Sequence, residues 1–70
     1  MKDNITITAN GKTYEMPRAT TLPAFLEAQQ LERARVVVEH NCQPVTPQAI
    51  DHIVLQDGDA LEIVQVVAGG

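Results

Sequence analysis

One segment decides the fold that this chain predicts: residues 57–67, with the sequence DGDALEIVQVV. Its first three residues are typical of a tight turn, and the run from Ala60 to Val67 is mostly aliphatic or β-branched, as in a strand. Leu61 and Ile63 share one face of that strand, and the opposite face is itself partly apolar. A strand that is apolar on both faces belongs in the middle of a sheet, so we expect this one to be central.

The residues nearer the start of the chain predict a hairpin. The segment from Asn4 to Ala9 alternates isoleucine and threonine, which indicates a half-buried strand. Asn10-Gly11 follows, a strong signal for a two-residue type I′ turn because both central residues of that turn need a positive φ. The return strand is predicted from Lys12 to Met16, where Pro17 ends it.

The main predicted helix begins within residues 20–23. A threonine there caps the first amides, and a proline falls in the first turn, where its missing N–H costs little. Leu22, Phe25 and Leu26 share a stripe at helical spacing, and the helix is expected to run to about Gln30. The stripe is interpreted as the side that faces the core rather than as a docking surface.

The second half of the chain predicts several short elements. Residues 36–40 are rich in β-branched side chains and too few for a helix, so they are expected to form a third strand. A turn at residues 41–42 leads into a further extended segment at 43–45. Residues 46–50 resemble a single capped helical turn, and residues 53–55 are expected as a short strand or extended segment.

The order of these elements predicts an α+β fold, in which a mixed sheet of four to five strands packs against one α-helix. The first and last strands are expected to be adjacent and parallel at the centre of the sheet. The expected core consists of Ile5, Ile7, Leu22, Phe25, Leu26, Val36, Val38, Leu61 and Ile63. We expect residues 1–67 to form one domain and residues 68–70 a flexible tail, because closing glycines impose no preferred backbone conformation.

The composition excludes several classes of function. The chain has 70 residues and a net charge of −4, and its five basic residues are scattered, with only two aromatic residues, so no nucleic-acid binding is expected. No apolar run has the length of a membrane span, and the first residues contain no signal core, so no membrane partner is expected. Because the lone cysteine, Cys42, cannot form an internal disulfide, the cytoplasm is the expected compartment. The sequence contains neither a serine nucleophile nor a glycine-rich phosphate loop.

Two side-chain sites are conceivable near the third strand. His40 and Cys42 would share a face if both lay on a strand, as a nucleophilic Cys–His pair requires. Adding His52 gives three conceivable zinc ligands, although the paired close spacings of structural zinc sites are missing. Polar residues around a turn, with a small thiol packed beside them, explain the same pattern more simply. No metal site is therefore expected, and no role is assigned to Cys42.

The outer face of the last strand is more apolar than solvent requires. With Leu61 and Ile63 facing the helix, Val64 and Val66 lie on the opposite face, where Val37 joins them. We interpret these three valines as a surface for docking a partner.

The sequence closes with Ala68, Gly69 and Gly70. Because the two glycines have no Cβ atoms, they form a thin segment that can enter a slot closed to any side chain. Three residues carry the terminal carboxylate about 10 Å from the sheet. This segment is interpreted as a probe that reaches into another protein.

The whole sequence resembles the ubiquitin-like β-grasp sulfur carrier family, most of all the carriers of thiamine biosynthesis. The resemblance rests on Asn10-Gly11, on the helix start with Phe25-Leu26, on residues 57–63 and above all on the ending QVVAGG at residues 65–70. The small subunit of molybdopterin synthase is the nearest alternative. Those chains usually carry a proline pair before the closing glycines, where this sequence has residues 65–67, and this difference favours the thiamine carriers.

The resemblance implies a particular chemistry. The Gly70 carboxylate would be adenylated by an ATP-using, E1-like adenylyltransferase, and sulfur supplied through a cysteine desulfurase would convert it to a thiocarboxylate. A thiazole synthase would then take up that sulfur. The chain would be a protein cosubstrate with no catalytic residue and no bound cofactor of its own. A ubiquitin-like interaction module, in which the glycines take no part in sulfur chemistry, is the alternative of a different class.

Overall fold

The computed structural model of the chain describes residues 3–66, which form a five-stranded mixed sheet with one main helix packed on it. The elements are β1 (Asn4–Ala9), β2 (Lys12–Pro17), α1 (Leu22–Ala28), a 3₁₀ turn (Arg33–Arg35), β3 (Val36–His40), β4 (Gln43–Val45), α2 (Pro47–Ile50) and β5 (Ala60–Gln65). Within residues 3–66, no helix has the length and apolar character needed to cross a membrane. The predicted α+β class is confirmed.

β5 lies at the centre of the sheet, whose strand order is β2-β1-β5-β3-β4. It runs parallel to β1, where Ala9 pairs with Leu61. It runs antiparallel to β3, where Val38 pairs with Ile63. The prediction that the first and last strands are adjacent and parallel at the sheet centre is thus confirmed.

β5 ends at Gln65 because its partner strand begins there. Gln65 pairs with Val36, the first residue of β3. The next amide, that of Val66, donates instead to the carbonyl of Arg35 in the 3₁₀ turn, at 2.7 Å. The strand is therefore shorter than the expected run to Val67, a residue that lies outside the described part of the chain.

Both hairpins of the sheet close with two-residue turns at positive φ. Asn10 and Gly11 have φ values of 52° and 80°, as the predicted type I′ turn requires. Asn41 and Cys42 form a second such turn between β3 and β4, with φ values of 51° and 68°. Cys42 therefore occupies a backbone conformation that favours glycine, and its side chain is exposed.

The main helix begins where predicted and ends earlier. Thr21 Oγ1 accepts a hydrogen bond from an amide of the first turn at 3.2 Å. α1 stops at Ala28, short of the expected Gln30, because Gln30 takes a left-handed φ of 60°. The amide of Leu31 then donates to the carbonyl of Leu26 at 2.9 Å, and this hydrogen bond caps the last turn of the helix as in a Schellman motif.

Residues 53–55 lie outside the sheet. Val54 makes an isolated antiparallel bridge with Thr21, and the amides of Leu22 and Leu55 donate hydrogen bonds across the same contact. The pairing stops there because α1 starts at Leu22. The single capped helical turn predicted after β4 is confirmed as α2.

The core lies between α1 and the inner face of the sheet. The buried apolar residues are Ile5, Ile7, Ala9, Met16, Leu22, Phe25, Leu26, Val38, Ile50, Leu55, Leu61 and Ile63. Of the expected core residues, Val36 alone is only half-buried, because it pairs with Gln65 at the end of β5. Tyr14 packs against this core and meets Phe25 edge-on, with ring centroids 5.2 Å apart.

Candidate functional site

Exposed valines mark the end of β5 on the side of the sheet away from α1. Val37 and Val64 are directly opposite each other on β3 and β5, with 57% and 62% of their surfaces exposed. Val66, 50% exposed, follows directly after the end of β5. Among residues 3–66 the only other exposed large hydrophobic residue is Val54. Val37, Val64 and Val66 are called the valine surface below.

Alternation along β3 and β5 explains why Val37 and Val64 face outward. Their neighbours Val38 and Ile63 are buried beneath α1, so the residues before and after them point to the other side. A solvated sheet face is usually polar, and adjacent exposed valines are typical of a surface that meets another protein. The docking role of the valine surface remains a prediction.

Ala68, Gly69 and Gly70, which are expected to carry the chemistry, lie outside the described residues. The structure does define the point from which they continue, because the amide of Val66 is bound to the carbonyl of Arg35 at 2.7 Å. The five residues from Val66 to Gly70 span at most about 18 Å, so the Gly70 carboxylate can lie no farther than that from the Val66 amide. The valine surface therefore adjoins the start of the segment that carries Gly70.

Two turn asparagines hold β5 from its two sides. Asn10 Oδ1 accepts a hydrogen bond from the amide of Ile63 at 2.7 Å, and Asn10 Nδ2 donates to the carbonyl of the same residue at 2.9 Å. On the β3 side, Asn41 Oδ1 accepts from the amide of Ala60 at 2.8 Å. From the sequence, both asparagines are predicted only as turn residues, because their partners depend on the strand order. They fix the strand that leads towards Gly70.

Asp59 is the only buried polar or charged residue within residues 3–66, at 7% exposure. His40 Nε2 lies 2.7 Å from its Oδ2, Asn41 Nδ2 donates to its Oδ1 at 3.0 Å, and the amide of Gln56 donates to its Oδ2 at 2.9 Å. Burial raises the pKa of the Asp59 carboxyl, but these hydrogen bonds and the charge of His40 together hold that pKa below its usual value. The cluster ties the start of β5 to the β3–β4 turn.

His40, Cys42 and His52 do not form the conceivable metal or thiol site. His40 is hydrogen-bonded to Asp59, and Cys42 lies in the turn after β3 rather than on that strand. The strand spacing that would place the thiol beside the imidazole therefore does not apply. Within residues 3–66, no three His, Cys, Asp or Glu side chains are grouped so that they could hold a metal ion.

The topology defines the class of protein. A mixed sheet with its first and last strands parallel at the centre, and a main helix between the second and third strands, is the ubiquitin-like β-grasp fold. The family model of the ThiS family matches residues 4–70. The chain therefore belongs to the ThiS family of ubiquitin-like sulfur carrier proteins.

Two solved structures of a thiamine biosynthesis protein from Geobacter metallireducens are similar to this chain. The crystal structure, of the protein named ThiS, is 29% identical and has a TM-score of 0.77, covering 94% of this chain and 100% of that one. The solution NMR structure is 30% identical and has a TM-score of 0.75, covering 94% of this chain and 88% of that one. A comparison with curated proteins finds no match.

Proposed function

We propose that this sulfur carrier transports sulfur as a thiocarboxylate on Gly70 and donates it for thiazole formation in thiamine biosynthesis. The observation that carries the proposal is the family match, which extends through Gly70 at the end of the sequence. The two similar structures are of one thiamine biosynthesis protein, which supports this pathway over molybdenum cofactor synthesis. The residues before the closing glycines support it as well, since no proline pair is present there.

The proposed chemistry starts with the activation of a poor electrophile. A terminal carboxylate, with a pKa of about 3.3–3.7, is ionised at neutral pH and resists attack at its carbon. Its oxygen would attack the α-phosphate of ATP and release pyrophosphate, which leaves an acyl adenylate on Gly70. The terminal sulfur of a persulfide would then attack the carbonyl carbon and displace AMP, which forms a C–S bond and gives an acyl disulfide. A thiol would next cleave the S–S bond that came from the persulfide. The products are a disulfide and the Gly70 thiocarboxylate.

The chain needs partners for each of these steps. Its sequence has no glycine-rich loop to hold the phosphates of ATP, so an E1-like adenylyltransferase is the proposed activating enzyme. A cysteine desulfurase is the proposed source of the persulfide, and a thiazole synthase the proposed acceptor of the sulfur. We propose the cytoplasm as the compartment, where the single Cys42 needs no disulfide partner.

The valine surface is the proposed docking site for the activating enzyme. It lies at the end of β5, and the five residues that follow Gln65 span at most about 18 Å to the Gly70 carboxylate. Docking there would bring the carboxylate within reach of a neighbouring active site. The asparagines and the Asp59 cluster would contribute by keeping β5, and hence the start of the closing segment, in one position.

The experiment that tests the proposed function measures sulfur on the chain directly. The purified protein is incubated with ATP, a sulfur donor and the E1-like enzyme from the same source, and its intact mass is followed. We expect one oxygen to be replaced by sulfur at the C-terminus, only when ATP is present, and the product to support thiazole formation by the synthase. A chain that keeps its original mass under these conditions contradicts the proposal.

A further inference from the structure

The outer face of the sheet carries carboxylates but neither lysine nor arginine on its strands. Alternation from the buried residues places Glu15, Glu39 and Glu62 on this face. The single lysine or arginine among the five strands is Lys12, and it lies on the helix side, with its Nζ 5.6 Å from the centroid of the Tyr14 ring. Every charged strand residue on the face that bears Val37 and Val64 is therefore acidic.

Two of these carboxylates face each other next to the valine surface. Glu39 and Glu62 are direct partners in the antiparallel pairing of β3 with β5, and both are exposed. Within residues 3–66, neither forms an ion pair with a basic side chain. Like charges directly opposite each other across two strands destabilise a sheet. The pair therefore lowers the stability of the isolated fold, and an uncharged residue at either position would make the fold more stable. Glu39 and Glu62 are called the acidic pair below.

The acidic pair is continuous with the valine surface along the same two strands. Val37 and Val64 are the next outward-facing partners after Glu39 and Glu62. Two residues along a strand span about 6.6 Å, so one partner surface can cover both pairs. A local arrangement that costs stability beside an exposed apolar pair is typical of a binding surface.

We propose that the acidic pair receives an arginine or lysine side chain of the protein that docks on the valine surface. A guanidinium fits between two carboxylates because it can donate to both, and the attraction strengthens when docking removes water from the site. The inference rests on the proposed function in one respect: the activating enzyme is taken as the partner. The new element is that the contact surface of the enzyme combines an apolar patch with a basic residue about 6.6 Å away from it.

Other occupants fit this face poorly. Nucleic acids and anionic lipid surfaces are both held by clusters of basic side chains, and the outward-facing residues of the five described strands include no lysine or arginine. A second copy of this chain, docked face to face, would bring two acidic pairs together and add repulsion. Charge complementarity therefore favours a protein partner whose contact surface is basic and apolar.

The first test compares binding to the activating enzyme, with ATP present, at low and high salt. The double variant Glu39→Gln/Glu62→Gln is expected to bind roughly tenfold more weakly than wild type at low salt and to lose most of the salt dependence. Its melting temperature should equal or exceed that of wild type, because the repulsion is gone. Glu15→Gln, on the same face but on β2, is the matched control and should bind within about twofold of wild type. Wild-type affinity in the double variant, or an equal loss in Glu15→Gln, overturns the proposal.

A second test does not depend on activation. Amide chemical shifts are followed while the labelled protein is titrated with a capped Leu-Arg-Leu-Arg peptide, and with the Leu-Glu-Leu-Glu peptide as control. We expect shifts at Val37, Glu39, Glu62 and Val64 with the basic peptide only. If they occur while the chain acquires no sulfur, the proposed function fails and the basic-partner surface stands. If the chain acquires sulfur but the double variant binds as wild type, the surface proposal fails and the function stands. Shifts with both peptides or with neither also overturn the surface proposal.

Discussion

Asn10 and Ile63 are 53 residues apart in the chain, yet the side-chain amide of Asn10 binds both backbone groups of Ile63, at 2.7 and 2.9 Å. The backbone pairing of β1 with β5 ends just before this point, at Ala9 and Leu61. The Asn10 side chain thus continues the parallel ladder after the main chain has turned away. The central strand is held almost to its end by a residue whose first role is to form the hairpin turn.

Replacing Asn10 with glycine separates these two roles. Asn10→Gly keeps the positive φ of the turn and removes both side-chain hydrogen bonds, so it should lower the free energy of unfolding by about 1–3 kcal/mol. Urea denaturation measures the change. Gly11→Asn is the control, because asparagine tolerates the same turn and a Cβ at Gly11 would meet no atom within 4 Å. It should cost less than about 1 kcal/mol. If Asn10→Gly and Gly11→Asn lower the free energy of unfolding equally, the effect comes from the turn backbone and not from the Asn10 side-chain hydrogen bonds.

Asp59 should make the stability of the fold depend on pH in the acid range. Its carboxyl has a lower pKa in the folded chain than the value of about 3.9 expected when unfolded. Ionised Asp59 therefore stabilises the fold above that unfolded pKa, and the contribution is lost as the pH falls through the folded pKa. The stability difference between wild type and Asp59→Asn should be fully present above the unfolded pKa of about 3.9 and should shrink as the pH falls below it. The midpoints of urea denaturation are measured for both proteins between about pH 2 and pH 7, with Glu27→Gln, exposed on α1, as the control. A stability difference between wild type and Asp59→Asn that does not change with pH would contradict the prediction.

Phe25 should be indispensable for folding. It is 4% exposed and contacts the Tyr14 ring edge-on, so Phe25→Ala leaves a cavity and should cost about 3–5 kcal/mol. A domain this small has a net stability of similar size, so the variant should be largely unfolded by circular dichroism. Val37→Ala, at an exposed position, should shift the unfolding free energy by less than about 0.5 kcal/mol. A cooperative melt of Phe25→Ala close to that of wild type would refute the core assignment.

The valine surface should matter for binding and not for folding. Val64→Lys/Val66→Lys changes two residues that are 62% and 50% exposed, so the melting curve should stay nearly unchanged. Binding to the activating enzyme should weaken, because two charges enter an apolar contact. Val54→Lys is the matched control: Val54 is 45% exposed, but it lies in the segment bridged to Thr21 rather than on the sheet. Titration calorimetry measures the affinity of each variant for the activating enzyme. If the double variant binds as tightly as Val54→Lys, the valines are ordinary surface residues.

The position of the Gly70 carboxylate should be critical for sulfur transfer. Deleting Gly70 shortens the reach by roughly 3.5 Å, and adding one alanine moves the carboxylate past the reacting position. Reaction rates fall steeply when the reacting atoms are misplaced by about 1 Å, so neither variant should acquire sulfur. Cys42→Gly is the control, because it removes the only thiol and suits the positive φ of 68° at that turn. Intact mass reports the result, and sulfur on the extended chain as readily as on the native one would contradict the proposed function.

The elements of the fold could be predicted because their signals are local. Asn10 and Gly11 both tolerate the positive φ that a type I′ turn requires. A capping threonine with a proline in the first turn favours the start of a helix whatever the tertiary surroundings. The alternation within β5 separated the buried Leu61 and Ile63 from the exposed Val64. Element ends were less accurate, because they depend on neighbours: β5 ends where β3 begins, and α1 ends where Gln30 takes a left-handed conformation.

By itself, the sequence determined which segments form strands and helices, which faces are buried, and the family ending that carries Gly70. Only the tertiary structure decided which distant residues meet: the Asn10 side chain with the backbone of Ile63, Asp59 with His40, and Glu39 opposite Glu62. Periodicity indicates the face on which a residue lies, whereas a contact across strands also requires the strand order and the register. A shift of one residue in that register would turn every side chain of a strand to the other face, and only packing of the whole core selects among such arrangements.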